Sequence, residues 1–181
     1  MRFSVPKAVA RNLLEFAALF ALWRAGLAAI ERHWLSPAAL HTGLLLLAGA
    51  KTLFFGIENI GQLRAASANN TPYHKFLLLM LMNVWQVITS FGLDFHLLHL
   101  IDRSSFDFIP PDLTPAAHVF EFFYFSALNF MFFGYGDITP QTVPAKVLTL
   151  AEISLAFVTV IFLLSDFISL KESLRPPRSE A

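Results

Sequence analysis

The chain of 181 residues is long enough for one domain or one small helical bundle. Its hydrophobic fraction of 56% and charged fraction of only 14% are typical of a protein dissolved in lipid rather than in water. The net charge is zero, with 13 basic and 13 acidic residues, so no basic surface for nucleic acid is expected. The absence of cysteine excludes disulfides and cysteine-ligated metals.

Two apolar runs dominate the N-terminal part, over residues 13–30 and 38–55. Each is about as long as a helix that crosses a bilayer. Arg24 lies inside the first run, which argues against a cleaved signal peptide, and Lys51 lies inside the second. Residues 56–74 are more polar and are predicted to form a linker. Residues 1–75 are therefore predicted to be a two-helix membrane segment with a cytoplasmic linker.

Three further elements are predicted downstream. Residues 76–101 form a third apolar run, and the proline-rich residues 102–114 are expected to form a surface loop. Thr114 and Pro115 are typical of a helix start, but the helix that they begin ends near Met131 and is too short to cross a membrane. We expect it to re-enter from the side where it began. A fourth span is predicted from Pro144 to about residue 170, followed by a polar cytoplasmic tail over residues 171–181.

Residues 132–137, Phe-Phe-Gly-Tyr-Gly-Asp, interrupt these apolar segments. Glycine reaches backbone angles that other residues avoid, so alternating glycines can turn successive carbonyl oxygens to one side. Four such loops around an axis would replace the water shell of a monovalent cation. The alternative is a simple turn between helices that ends in Asp137.

Residues 120–169 resemble the pore domain of tetrameric potassium channels. Tyr124-Phe125-Ser126 is similar to the pore helix of that family, and residues 134–140 are similar to its filter and outer mouth. Glu152 stands where many small prokaryotic members carry a glutamate. The resemblance implies a pore domain over residues 76–170 of an all-α membrane protein. Each subunit would have four transmembrane helices, one re-entrant pore helix and a filter loop, and four copies would form a C4 homotetramer.

The resemblance also implies roles for the residues of the loop. The ion ligands would be the backbone carbonyls of a five-residue filter: Phe132, Phe133, Gly134, Tyr135 and Gly136. Asp137 would lie at the outer mouth and attract cations, or would hydrogen-bond the loop, or both. No cofactor is implied apart from K⁺ as the permeant ion, and the implied partners are further copies of the chain and the lipid bilayer.

Phe132 departs from the family pattern, which has a threonine at this position, and Met131 also replaces an upstream threonine. A phenyl ring offers no oxygen to a cation, and four rings near one axis would narrow the inner end of the filter. The leading prediction is a potassium-selective channel. The alternative is a non-selective or non-conducting channel-like subunit with a structural or regulatory role. No pattern of catalytic residues is present, so an enzyme is not expected.

On the last helix, Phe157, Val160 and Leu164 recur at steps of three and four and share a face. By the resemblance this face lines the cavity, where it would gate by excluding water, although ordinary helix packing explains the spacing equally well. Ala156 replaces the hinge glycine of the family. Glu152 lies nearly opposite, toward the third span, where its expected partners are Gln86, Thr89 and Ser90.

Charged residues in or near the spans are expected to be functional or paired. The side of the membrane with the two termini and the middle linker has eight basic residues, and the opposite side has three. This excess predicts cytoplasmic termini and a multi-pass protein of the cell membrane. Glu15 is expected to pair with Lys51, and Arg24 has no obvious partner. Near the outer surface we expect Asp94 and three histidines, as a metal or proton site or as scattered interfacial residues: His96, His99 and His118.

Overall fold

The computed structural model describes residues 5–68, 73–107, 109–110, 112–134 and 136–173. Four long helices are α1 (Val5–Glu31), α2 (Pro37–Ala68), α3 (Tyr73–Ile101) and α5 (Val143–Ser173). The segment between α3 and α5 holds the shorter elements. These are a 3-10 turn (Arg103–Ser105), strand β1 (Phe106–Asp107), helix α4 (Pro115–Phe130) and strand β2 (Thr139–Pro140).

All four long helices contain a stretch that is long and apolar enough to cross a membrane. The stretches are Val9–Glu31, Pro37–Gln62, Leu77–Ile101 and Val143–Leu164, and the shortest has 22 residues. About 20 apolar residues suffice for one crossing. The chain is therefore mostly helical and has the composition of a multi-pass membrane protein, as the sequence predicts.

Helix α2 is longer than predicted. The linker predicted for residues 56–74 is wrong over residues 56–68, because α2 continues to Ala68. Its polar residues do not end the helix, because they are paired with other helices. Glu58 contacts Arg11 of α1 at 2.6 Å, and Asn59 accepts a hydrogen bond from Asn83 of α3 at 2.8 Å.

Helix α3 lies at the centre of the bundle, where α1, α2 and α4 all pack against it, and α2 also runs along α5. This arrangement explains why the expected pair between Glu15 and Lys51 is wrong. Because α1 packs mainly on α3, Glu15 accepts a hydrogen bond from Gln86 of α3 at 2.7 Å. Lys51 instead contacts Asp94 of α3 at 2.6 Å.

A close contact and an aromatic cluster hold α4 against α3. A Cβ atom added at Gly92 would lie 3.0 Å from the Cα of Phe123, so only glycine allows this approach without a shift. Phe95 of α3 makes edge-to-face contacts with Phe125 and Phe106, with ring centroids 5.0 and 5.6 Å apart. Apolar burial and the edge-to-face aromatic contacts therefore orient α4 against α3 without the help of polar contacts.

Strands β1 and β2 form a two-residue antiparallel ladder, which pairs Phe106 with Pro140 and Asp107 with Thr139. The backbone N–H of Gln141 extends this ladder by donating to the carbonyl of Ser105 at 2.9 Å. After α4 the chain therefore returns, at β2, to the C-terminal end of α3. Helix α4 also begins beside this end of α3.

Candidate functional site

The end of α4 lies beside the middle of two membrane-length helices. The hydroxyl of Ser126 donates to the carbonyl of Ile88, halfway along α3, at 2.9 Å. The side-chain amide of Asn129 donates to Glu152, near the middle of the apolar stretch of α5, at 3.2 Å. The loop that follows α4 therefore begins at mid-height of the bundle.

The start of α4 is formed as the sequence predicts. Thr114 has extended backbone angles, and its hydroxyl accepts a hydrogen bond from the N–H of Ala117 at 3.3 Å. Pro115 occupies the first helical position, where its missing N–H costs nothing. The prediction of a short helix starting at this pair and ending near Met131 is confirmed.

Phe132 ends α4 in a conformation that the sequence does not reveal. Its φ is +59°, in the left-handed region that bulky residues rarely enter. Its N–H donates to the carbonyl of Asn129 at 3.1 Å, while the N–H of Phe133 donates to that of Leu128 at 2.8 Å. These two bonds define a Schellman cap, in which the left-handed position is usually glycine. The first residue of the predicted filter is therefore also the cap of α4.

The loop after this cap is exposed in the single chain. Phe132 and Phe133 are 50% and 54% exposed. Gly136 has a φ of +76°, where residues with a side chain would be strained, and Gly134 is also exposed. Tyr135 lies outside the described residues. The described part of the loop is thus non-helical backbone that its own chain covers only in part.

Asp137 stabilises the C-terminal end of the loop, because its carboxylate accepts a hydrogen bond from the N–H of Ile138 at 3.1 Å. Ile138 is buried, and Thr139 and Pro140 then form strand β2. The side chain of Asp137 is itself exposed, so this hydrogen bond does not prevent a second role at the mouth.

Glu152 joins α5 to α4. It is completely buried, and its two carboxyl oxygens contact the hydroxyl of Ser126 and the amide of Asn129. The predicted partners on α3 are wrong because α4 lies between: Gln86 bonds Glu15, Thr89 bonds its own helix at Trp85, and Ser90 has no partner among the described residues. Ala156, one turn along α5, is also fully buried.

Phe157 and Leu164 lie on an exposed face of α5 and are 57% and 59% exposed. Ile161, at 47%, lies on this face between them, while Val160 is partly buried. The ring of Phe157 meets that of Phe132 edge-on, with centroids 6.5 Å apart. The residue at the start of the predicted filter therefore touches the face predicted to line the cavity.

Three histidines meet where α3 contacts the first turns of α4. The ring of His118 lies 5.1 Å from that of His96 and 5.2 Å from that of His99, between centroids. Asp94 does not join them, since it pairs with Lys51. Among the described residues no group of three or more histidine or acidic side chains has the arrangement of a metal site, so the metal interpretation has no support.

A buried polar network on the opposite half of the bundle is missed by the sequence analysis. Asn12 donates to Asn83 at 3.0 Å, Asn83 donates to Asn59, and Asn59 donates to Thr159 of α5 at 3.3 Å. It links all four long helices. The available signal is the occurrence of amide side chains within apolar runs, which demands partners because unpaired polar groups are costly in lipid.

With this geometry in hand, comparison with known families gives one match. Residues 96–172 match the family model described as an ion channel. This stretch covers the end of α3, α4, the loop and most of α5, so the resemblance predicted from the sequence is confirmed as that of an ion-channel pore domain. Neither the curated proteins nor the solved structures gave a match.

Proposed function

We propose that this protein is a potassium-selective channel in which four identical chains surround one pore. Residues 76–170 would form the pore domain, with α4 as a re-entrant pore helix. The carbonyls of residues 132–136 would line the filter, and Asp137 would lie at its outer mouth. The ion-channel match supports the general function, and the geometry of the loop supports the finer assignment.

The single observation that carries the proposal is the half-exposed loop at mid-height of the bundle. Non-helical backbone is tolerated at membrane depth only where other protein or water covers it. The loop after α4 begins beside the middle of α3 and α5, yet its phenyl rings are half exposed. Further copies of the chain around a water-filled path would supply both kinds of cover.

The path of the chain supports re-entry. Helix α4 begins beside the ends of α1 and α3, reaches the middle of the bundle, and is followed by a loop that returns to the same end at β2. Its C-terminal end, which carries the negative end of the helix dipole, thus meets the loop that would hold cations. The excess of basic residues at the other end favours an outward-facing loop and cytoplasmic termini.

A non-selective or non-conducting subunit is the second candidate, and Phe132 favours it. Its ring is half exposed and touches Phe157 at the position where conducting relatives would offer a hydroxyl to the innermost ion. A ring of apolar side chains formed by Phe157, Val160 and Leu164 would add a dewetting gate below it.

Flux into liposomes separates these functions. Purified protein in potassium-loaded vesicles is expected to release K⁺, to be blocked by Ba²⁺, and to exclude Na⁺. Equal fluxes of Na⁺ and K⁺ would show that the protein is a non-selective cation channel. No flux from protein that is tetrameric by cross-linking would favour the non-conducting subunit.

Phe132→Gly is the sharpest variant, and it is expected to raise K⁺ flux. It removes the ring, and it relieves backbone strain of about 1 kcal/mol because glycine accepts the left-handed angle. Phe132→Thr would restore the hydroxyl of the family but place a β-branched residue at φ +59°, so a smaller gain is expected. Phe133→Gly is the matched control, since Phe133 does not have a positive φ. Unchanged flux in Phe132→Gly would show that this ring does not limit permeation.

A further inference from the structure

A cavity of about 850 Å³ lies away from the loop of the proposed pore. Its walls come from four places: the second half of α1, the outer end of α3, the segment that follows α3, and the first turn of α4. It therefore opens where two membrane-length helices, α1 and α3, come to their ends.

The cavity is electropositive. Arg24 and Arg103 both line it, and neither forms an ion pair with a described residue. The first turn of α4 contributes Pro115 and Ala116 to the wall, so the positive end of a 16-residue helix also faces the space. Glu31 is the acidic residue on the wall, which leaves a formal charge of +1 when the histidines are neutral.

Polar groups on the wall lack partners that a ligand would supply. His99 is 6% exposed, borders the cavity, and its Nδ1 atom has no hydrogen-bond partner among the described residues. His96 is fixed in a different way, because its Nδ1 accepts the indole N–H of Trp23 at 3.3 Å and its remaining hydrogen is then on Nε2. The Nδ1 of His99 is itself out of reach of solvent, so the groups that a ligand in the cavity could pair with are the two guanidinium groups.

The remaining wall is apolar and suits a hydrocarbon chain. It is formed by side chains from α1, α3 and the segment between α3 and α4, including Leu27, Leu100, Ile109 and Leu113. A free inorganic anion would use the arginines and leave this surface unfilled. An amphiphile would use both.

We propose that this cavity binds the headgroup of an acidic phospholipid, with the phosphate held by Arg24 and Arg103 and the first part of an acyl chain against the apolar wall. Guanidinium groups bind phosphate through paired, charge-assisted hydrogen bonds. The proposal does not depend on ion conduction, and its test requires no flux.

Trp23 lies on the wall and can report binding directly. In a Trp34→Phe, Trp85→Phe background, Trp23 is the last of the three tryptophans of the chain. The protein is placed in nanodiscs with phosphatidylglycerol or phosphatidylcholine brominated on its acyl chains, and quenching of Trp23 is compared. We expect phosphatidylglycerol to quench at about one tenth of the mole fraction that phosphatidylcholine needs, because one charge-assisted site discriminates by about this factor.

Arg103→Gln and Arg24→Gln are each expected to remove most of this preference. Arg32→Gln is the matched control, since Arg32 lies near the same end of α1 but does not line the cavity. If an arginine variant fails to fold, His99→Phe tests the same wall. Equal quenching by both lipids, or an equal loss in Arg32→Gln, would overturn the proposal. A response of Trp23 to inorganic phosphate without any lipid preference would also overturn it, in favour of a soluble anion.

Discussion

Two acidic side chains are buried in the described part of the chain, and the groups that surround their carboxyl groups differ. Asp94 of α3 lies 2.6 Å from the ammonium of Lys51, and the two side chains are 4% and 13% exposed. Glu152 of α5 has no ion pair among the described residues and contacts a hydroxyl and an amide instead. One acid is therefore a charge with a counter-charge, and the other is held by neutral groups.

Counting hydrogens at Ser126 indicates which form Glu152 takes. The single hydroxyl hydrogen of Ser126 cannot serve both the carbonyl of Ile88 and Glu152, and the carbonyl can only accept. The contact between Ser126 and Glu152 is then satisfied by a proton on the carboxyl group. A neutral Glu152 avoids the large cost of an unpaired buried charge. A carboxyl group within a membrane-length helix is therefore not by itself evidence for an ion path or an ion pair.

The largest expected effect comes from breaking the charged pair. Lys51→Met should destabilise the protein by about 3–5 kcal/mol, because it leaves Asp94 buried without its counter-charge. The double variant Lys51→Met, Asp94→Leu should recover most of the loss. Thermal melting in detergent, followed by size-exclusion chromatography, measures both. The exposed Lys146→Met is the control, and a double variant no better than the single one would refute the account.

The neutral acid should tolerate a neutral replacement. Glu152→Gln keeps an acceptor for Asn129 and a donor for Ser126, so its stability should stay close to that of the wild type. Glu152→Ala should cost about 1–3 kcal/mol, because it removes the partner of the partly buried Asn129 and one of the two partners of the buried Ser126. The same melting assay compares them. Equal damage from both substitutions would mean that Glu152 is ionised.

A smaller effect is expected in the polar network on the other half of the bundle. Thr159→Val removes the acceptor of Asn59 at nearly constant volume and should cost about 1 kcal/mol more than Thr149→Val. Both threonines also donate to their own helix four residues back, which makes Thr149 a close control. If the two variants melt alike, the bond between α2 and α5 contributes no stability.

The smallest effect concerns His118, which is partly buried and has no ion pair with a described residue. Burial lowers the pKa of His118 below its usual 6.5, and the positive charge of Arg103 lowers it further. The unfolded chain therefore binds more protons than the folded one as the pH falls through 6.5, and stability decreases on acidification. The melting temperature of His118→Phe should depend less steeply on pH than that of the wild type. Melting curves recorded from about pH 7.5 to about pH 5 would measure the difference. The exposed His33→Asn is the control, because His33 contacts none of the three clustered rings.

The helices could be predicted from the sequence because they depend on local features. Apolar runs of membrane length gave four long helices, and Thr114 with Pro115 located the start of α4. Partner choice could not be predicted, because it depends on which helices are neighbours. Lys51 and Glu15 have similar depths, but both face α3, and Glu152 meets α4 because that helix stands between α5 and α3.

The conformation of the loop could not be predicted from the sequence either. Nothing in the letters Phe-Phe-Gly-Tyr-Gly indicates that the first phenylalanine, rather than a glycine, takes the left-handed position of the cap. That assignment follows from where α4 stops, which is set by its contacts with Ile88 and Glu152.

The ladder between β1 and β2 gives the loop a second attachment that does not involve α5. Since Asp107 pairs with Thr139 and the carbonyl of Ser105 accepts from Gln141, the turn that follows α3 is fastened to the residues just beyond Asp137. A displacement of the end of α3 at Ile101 would thus be passed to residues 139–141 through backbone hydrogen bonds. If the protein is the channel proposed above, a ligand that moves this turn would also move the loop that holds the proposed filter.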